Sequence, residues 1–258
     1  MNCVIFLTLL LQPPANQESV LWSFKVGQEF FVEETQRHLF QAKNTALVTS
    51  YFDYTYLWRY FIVSEKNGQF TLQATLEKVR VNNPNEAGAK AIEALKQHEG
   101  SKSSWLLVRN ETGWTAEPVP GERGRHAVPY FLTVGTPRLT DQQDSWNQLW
   151  KVPIADWGDA NMDMTITIKQ RVNDRLLTTV RTKMEWPVGK TSTSLLEFQP
   201  NGSTLAGLGE FDFTRSRWVF FEFRIEGIWQ VTRQGVSGSL KQNSYCAYRL
   251  FERRPAFP

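Results

Sequence analysis

Asp159, Asn161 and Asp163 carry the spacing in this sequence that most resembles a metal site. Their D-x-N-x-D pattern copies the first three ligand positions of an EF-hand calcium loop. The rest of the motif is missing, because Met164 stands at the position that needs glycine and Gln170 stands where a bidentate glutamate belongs. We therefore interpret the cluster as turn residues that enter a strand. A weak calcium site of another geometry is the alternative.

Other residue types that carry chemistry lack the arrangement that catalysis requires. The three histidines are His38, His98 and His126, and their spacing forms no zinc motif, so we interpret them as surface residues. The string at residues 235–238 (GVSG) is one residue short of a nucleophile elbow and is typical of a hairpin turn. Glu33 and Glu34 alternate along a strand and point to opposite faces. The sequence predicts no catalytic residue, no metal and no cofactor.

An aromatic run is the positive functional signal in the sequence. Six residues of one parity share one face of a predicted strand: Phe52, Tyr54, Tyr56, Trp58, Tyr60 and Ile62. The simplest interpretation is a packed core face. However, a buried tyrosine hydroxyl needs a hydrogen-bond partner, which a half-wet cavity supplies. We therefore keep as a second interpretation a ligand-binding wall formed by Phe52, Tyr54, Tyr56, Trp58 and Tyr60.

Period-two alternation over residues 161–172 predicts a long strand with one buried and one wet face. Tight turns are predicted at Asn67-Gly68, Asn173-Asp174 and Asn201-Gly202, because these pairs favour hairpins between alternating runs. The parity of apolar residues changes near Glu77-Lys78, which predicts a β-bulge there. In a late strand, Val219, Phe221, Phe223 and Ile225 share one face, and Trp218 is expected on the other.

Two segments have helical patterns, Asn85–His98 and, less regularly, residues 125–134. The first places small and apolar residues on one stripe, with Gly100 as its stop. Together these elements predict a mainly β protein with a minor α+β component. The expected architecture is a strongly bent antiparallel sheet or partly closed barrel, with one or two helices packed on it.

The N-terminus indicates export. Residues 3–11 form a nine-residue apolar run, too short to cross a bilayer as a helix and suited to the core of a signal peptide. We predict a signal peptide at 1–15 and one β-rich domain at 16–258, with two related halves joined near 118–137 as a variant of that division. The expected location is periplasmic, secreted or envelope-associated. The scattered charges of a net +3 chain show no basic stripe for nucleic acid.

Three short segments resemble a family of uncharacterised exported bacterial proteins of planctomycete type. They are residues 22–30 (WSFKVGQEF), 157–159 (WGD) and 209–212 (GEFD). Members open the mature region with a W-x-F-x-x-G-x-x-F strand and later carry a Gly-Glu-Phe-Asp strand opening. The resemblance implies an exported β-rich architecture. It transfers no catalytic residue, because the family has no known activity.

Two functions fit this reading. The first is a non-catalytic structural or protein-interaction module of the cell envelope, with an envelope protein as partner. The alternative is a carrier or sensor of an apolar or lipid-like molecule held between sheet and helix. A wide cavity beside the aromatic run favours the carrier, and a filled core with exposed aromatic patches favours the module.

Overall fold

The computed structural model describes residues 22–43, 50–83, 89–109, 113–119, 132, 144–153, 159–185, 191–193, 196–233 and 236–257. Most of these residues are in antiparallel strands. The strands are β1 (Glu29–Lys43), β2 (Ser50–Lys66), β3 (Gln69–Val81), β4 (Lys102–Arg109), β5 (Trp114–Pro118), β6 (Ser145–Pro153), β7 (Asp159–Val172), β8 (Arg175–Glu185), β9 (Thr191–Thr193), β10 (Leu196–Asp212), β11 (Arg217–Arg233) and β12 (Val236–Phe251). A helix, α1 (Ala89–Lys96), separates β3 from β4.

The strands form one sheet in the order β5-β4-β3-β2-β1-β12-β11-β10-β8-β7-β6, with β9 paired to β10. The first five strands are one meander and the later strands are a second. The two meanders meet where β1 pairs with β12. Among the described strands, β5 and β6 have one neighbour each, so the sheet is open. The predicted mainly β, antiparallel class is confirmed, and whether the two halves are related stays a prediction.

The sheet bends strongly around Trp22. The Trp114 indole of β5 donates a hydrogen bond to the Trp22 carbonyl over 3.0 Å, and the Arg217 guanidinium of β11 lies 5.4 Å from the Trp22 ring centroid. β5 and β11 are six strand spacings apart, about 29 Å in a flat sheet. Side chains stand roughly perpendicular to a sheet, so a flat one would not bring both to a single residue. The predicted strong bend follows from these contacts.

One face of the sheet, which we call the inner face, carries the core. It includes Phe30 and Val32 of β1, Trp58 of β2 and Phe221 of β11. The buried cluster runs from Trp114 at one edge of the sheet to Trp146 at the other, and no break separates the two meanders in it. Such a continuous apolar face supplies most of the stabilising free energy of a sheet protein.

The turn residues specify two hairpins and a bulge as predicted. Asn67-Gly68 joins β2 to β3 with φ of 54° and 76°, the left-handed values of a type I′ turn. Asn173, with φ of 50°, begins the turn from β7 to β8. The pairing of β2 with β3 skips Glu77, so the predicted bulge is confirmed there. A bulge of this kind bends the strand that carries it.

Two strand predictions are wrong. β10 runs without interruption through Asn201-Gly202, where its pairing with β11 shifts register instead of turning. At that point β10 changes its other neighbour from β9 to β8, and a bulge accommodates the change. In β11 a second bulge leaves Val219 unpaired, so Trp218 joins the inner face and packs 5.6 Å from Phe221.

Helix α1 lies within the predicted segment 85–98 and contacts β3. Leu95 packs against the core, and Gly100, with φ of 81°, follows the helix as expected. The predicted second helix at 125–134 lies outside the described residues except for Leu132, which is buried in the core. The predicted signal peptide also lies outside them. Among the residues described, no helix is both long and apolar enough to cross a membrane.

The C-terminal tail covers part of the opposite face, which we call the outer face. Arg254 pairs with Glu77 at 3.5 Å, and Arg80 stacks on Phe257 at 5.1 Å, so residues 252–257 run from β12 towards β3. β1 and β2 lie between these strands, and the outer-face residue Leu57 of β2 is fully buried. The outer face is therefore not exposed to water along its whole length.

Candidate ligand-binding face

The aromatic residues predicted on β2 share the inner face, and the two ends of the run differ in burial. Neighbouring rings from Phe52 through Trp58 lie 6.1 to 6.3 Å apart. Tyr60 is 2% exposed and stacks on Phe30, while Phe52, at the other end, is 38% exposed. Tyr54 and Trp58 are buried, and Tyr56 is half-buried. The Tyr60 end therefore belongs to the packed core, and the Phe52 end is open.

Polar side chains cross the same face in a continuous hydrogen-bonded series, which we call the polar chain. It runs through Trp58, Glu34, Gln36, His38, Ser244, Gln242 and Trp229. These residues come from β2, β1, β12 and β11, four neighbouring strands at the centre of the sheet. The heavy-atom distances lie between 2.6 and 3.3 Å. The sheet thus presents a strip of polar groups between aromatic side chains.

The hydrogen bonds from Trp229 to Glu34 run in one direction when His38 is neutral. The indole of Trp229 donates to Gln242, and the Gln242 amide donates to Ser244. The Ser244 hydroxyl can then donate to Nδ1 of His38, whose Nε2–H donates to Gln36. The Gln36 amide donates to Oε1 of Glu34 over 2.6 Å. The network thus fixes the tautomer of His38 as Nε2–H.

Glu34 is the buried end of the polar chain. Burial raises the pKa of its carboxyl group, and hydrogen bonds from Gln36, Trp58 and Tyr248 offset part of that rise. The Trp58 indole donates to Oε2 over 2.7 Å. The same carboxyl group adds to the effect of burial in raising the pKa of Tyr56 and of the Cys246 thiol. The raised pKa of Cys246 makes a reactive thiolate unfavourable.

His38 differs from its predicted role as a surface residue. It is half-buried on the inner face, and burial lowers the pKa of its imidazole. A lowered pKa favours the neutral ring, in which Nδ1 can accept the hydrogen bond from Ser244. His98 follows α1 and is exposed, as expected, and His126 lies outside the described residues.

The four central strands place no lysine or arginine on the inner face. The inner positions of β1 are Phe30, Val32, Glu34, Gln36, His38, Phe40 and Ala42, those of β2 are the aromatic run with Ile62, and those of β12 alternate from Leu240 to Leu250. The alternate residues Phe221 to Val231 of β11 continue the face. Glu34 and His38 are its main ionisable groups near neutral pH. A bound anion would find no cationic partner on these positions.

The polar chain is the part of the face that sequence reasoning missed. The sequence of β1 did contain a signal, because three polar residues, Glu34, Gln36 and His38, occupy consecutive inner-face positions between Val32 and Phe40. No sequence signal pointed to the other half of the polar chain, because Ser244 lies 206 positions from His38 in the sequence. Only the pairing of β1 with β12 brings the two together.

The other candidate sites from the sequence lie in strands β7 and β12. Asp159, Asn161 and Asp163 enter β7 as predicted, with Asn161 and Asp163 exposed, and no group of potential metal ligands occurs within the described ranges. The turn predicted at residues 235–238 is wrong for Ser237 and Gly238, which lie in β12 and pair with β11, and Gly235 lies outside the described residues. The calcium site of another geometry stays a prediction.

Comparison with known proteins gives limited guidance. No family model and no curated protein matches the chain. A structure on lipid–protein interactions in lipovitellin has a TM-score of 0.48 at 9% identity, with 92% of this chain and 26% of that chain covered. An outer membrane channel from Pseudomonas putida F1 has a TM-score of 0.23 at 11% identity, with 89% of this chain and 97% of that chain covered. A loop-deletion form of OmpT, an outer membrane protein of Vibrio cholerae, has a TM-score of 0.23 at 8% identity, with 88% of this chain and 100% of that chain covered.

This chain therefore spans about a quarter of the length of the lipovitellin chain. With every TM-score under one half, these likenesses carry no argument about function. The function has to be argued from the chain's own residues, and the inner face is where apolar side chains and partly exposed, hydrogen-bonded polar groups occur together.

Proposed function

We propose that this protein is a non-catalytic carrier or sensor that binds an uncharged amphiphile against the open end of the inner face. The ligand would lay an apolar body on Phe52, Phe40 and Tyr54 and place a hydroxyl or amide group on the polar chain. The N-terminal apolar run supports a location in the cell envelope for this role.

The polar chain carries the proposal. A core has no need of a strip of glutamine, histidine and serine, because burying such groups costs free energy that hydrogen bonds only offset. Among the described residues, Gln36 and Gln242 each donate one hydrogen bond of the two that a side-chain amide group can donate. Both residues are partly exposed. They can therefore offer a donor to a ligand without breaking the chain.

The charge of the inner face selects an uncharged ligand. Its central strands place no lysine or arginine on this face, and burial lowers the pKa of His38, which favours the neutral ring. An anionic end group would approach Glu34 without a counter-charge, and desolvating an unpaired charge is costly. A hydroxyl group both donates and accepts, so it suits the mixed donors and acceptors of this strip.

The structural or interaction module remains the competing proposal. Its expected signature is a contiguous exposed apolar patch. Among described residues, the large exposed hydrophobic side chains are spread over several strands and the segment before β1, as with Leu149, Ile228 and Val26. Scattered exposed side chains are normal for a folded protein and need no partner.

The test is binding of a neutral naphthylamine dye, followed by its displacement with monoolein or oleate. These two lipids share an acyl chain and differ in the charge of the end group. Phe52→Ser and Phe61→Ser form a matched pair, because the side chains are 38% and 37% exposed on opposite faces of β2. We expect Phe52→Ser to weaken dye binding about tenfold and Phe61→Ser to leave it unchanged.

We expect monoolein to displace the dye at lower concentration than oleate at neutral pH. Equal displacement by both lipids would contradict the uncharged class of ligand. No dye binding by the folded wild type, together with no lipid in native mass spectra of protein purified from its own host, would refute the carrier and favour the module.

A further inference from the structure

An arginine-lined pocket lies at the opposite end of the sheet from Phe52, where β8, β10, β11 and the end of β12 meet. It is open and has a volume of about 690 Å³. Five arginines line it, Arg175, Arg215, Arg217, Arg249 and Arg253, together with two glutamates. The pocket lies at the end of β12, around Arg249 and Leu250, whereas Phe52 lies beside His38 and Ser244 farther along the sheet, so the pocket is separate from the proposed ligand-binding site.

Arg217 is a buried cation with spare hydrogen-bonding capacity. The residue is 6% exposed, and its Nη2 donates to Glu252 over 2.6 Å. Its Nε–H is buried and finds no acceptor among the described residues. A buried donor without a partner costs about 1–3 kcal/mol. The guanidinium also lies 5.4 Å from the Trp22 ring centroid, so Arg217 is held in the wall of the pocket.

The carboxylates around the pocket neutralise only part of its charge. Arg175 pairs with Glu210, and Arg215 lies 3.3 Å from both Asp212 and Glu252. Arg249 stacks on the Phe220 ring at 5.7 Å. In the part of the chain that the structure describes, neither Arg249 nor Arg253 has a carboxylate within ion-pair distance. The pocket therefore keeps an excess of positive charge.

We propose that this pocket binds a phosphate group carried on an organic substituent. Guanidinium groups present pairs of N–H donors that match phosphate oxygens, which is why arginine recurs at such sites. Val219, Phe220 and Leu250 also line the pocket and give the substituent an apolar wall. A phospholipid head group and a soluble phosphate ester share this chemistry.

The experiment compares three proteins at fixed ionic strength: wild type, Arg249→Gln/Arg253→Gln, and the control Arg224→Gln/Lys241→Gln. The control removes the same charge from exposed outer-face positions away from the pocket. Glycerol phosphate is titrated by calorimetry, and vesicles of phosphatidylcholine with or without phosphatidic acid are tested by sedimentation. The first probe reports a soluble ester and the second a lipid source.

We expect saturable binding of at least one probe by wild type, about tenfold weaker binding by the pocket variant, and no change in the control. Binding of neither probe, or equal weakening of both variants, would overturn the proposal. If the double variant does not melt like wild type, Arg253→Gln alone serves, because Arg253 is exposed beyond the end of β12. The dye experiment on the inner face is independent of this result.

Discussion

The replacement Glu34→Gln tests the central physical claim about the inner face. It keeps the size of the side chain and removes its ability to ionise. In wild type the carboxyl group accepts hydrogen bonds from Gln36 and Trp58 and interacts with Tyr248. The amide can accept from one of these donors and places an NH₂ group against another. We expect this mismatch to cost about 1–2 kcal/mol at low pH, where the Glu34 carboxyl is neutral.

The pH dependence follows from the raised pKa of Glu34. Above about pH 4.3, the usual value, the unfolded chain releases the Glu34 proton while the folded protein still holds it. The folded state then binds more protons, so wild-type stability falls as pH rises through that window to the folded pKa. One such proton gives a slope of at most about 1.4 kcal/mol per pH unit. The Glu34→Gln protein lacks this loss.

The assay is urea unfolding of wild type and Glu34→Gln from pH 4 to pH 8, about the range in which small proteins stay folded. The measured quantity is the difference in unfolding free energy at each pH, because the lowered pKa of His38 contributes equally to both proteins. We expect the disadvantage of the variant to shrink as pH rises. Glu33→Gln, on the opposite face, controls for loss of a carboxylate. A difference that is flat or grows with pH would refute the buried-carboxyl argument.

Two further replacements test the packing of the sheet, both by urea unfolding. Trp58→Ala should lower the free energy of unfolding by about 3–5 kcal/mol, because Trp58 is 4% exposed and donates a hydrogen bond to Glu34. Phe52→Ala should lower it by less than about 1 kcal/mol, because Phe52 is 38% exposed. Similar losses for the two variants would contradict the difference in burial between the two ends of the aromatic run. Gly207→Ala should cost about 1–3 kcal/mol, because a Cβ there would lie 2.3 Å from the backbone oxygen of Glu222. Gly68→Ala, with φ of 76° and open space, should cost about 1 kcal/mol or less, and a larger cost there would refute the steric argument.

The sequence determined the class of the fold and many of its local features. Alternation of apolar residues identified long strands, and the conformational preferences of Asn67-Gly68 and Asn173-Asp174 placed two hairpins correctly. The change of parity at Glu77 located a bulge. These features depend on residues close together in the chain, whose backbone preferences and face positions can be read directly.

Tertiary structure decided the features that depend on which strands become neighbours. Asn201-Gly202 has the composition of a hairpin turn, yet β10 continues through it because β9 and β8 pair with successive parts of the strand. The face of Trp218 depends on the unpaired residue Val219, which shifts the parity of β11. Propensity is a weak constraint when long-range pairing satisfies the same backbone groups.

The polar chain shows most clearly what the sequence alone could not predict. The inner-face position of Glu34, Gln36 and His38 follows from their parity in β1, which the sequence contains. Their contact with Ser244 requires the first strand and the last strand of the protein to pair. Bringing these two strands together lowers the entropy of a long stretch of chain, and the contacts of the whole sheet offset that cost. Within β1, the local sequence therefore determined which side chains share a face. Only the complete sheet brought them within hydrogen-bonding distance of Ser244.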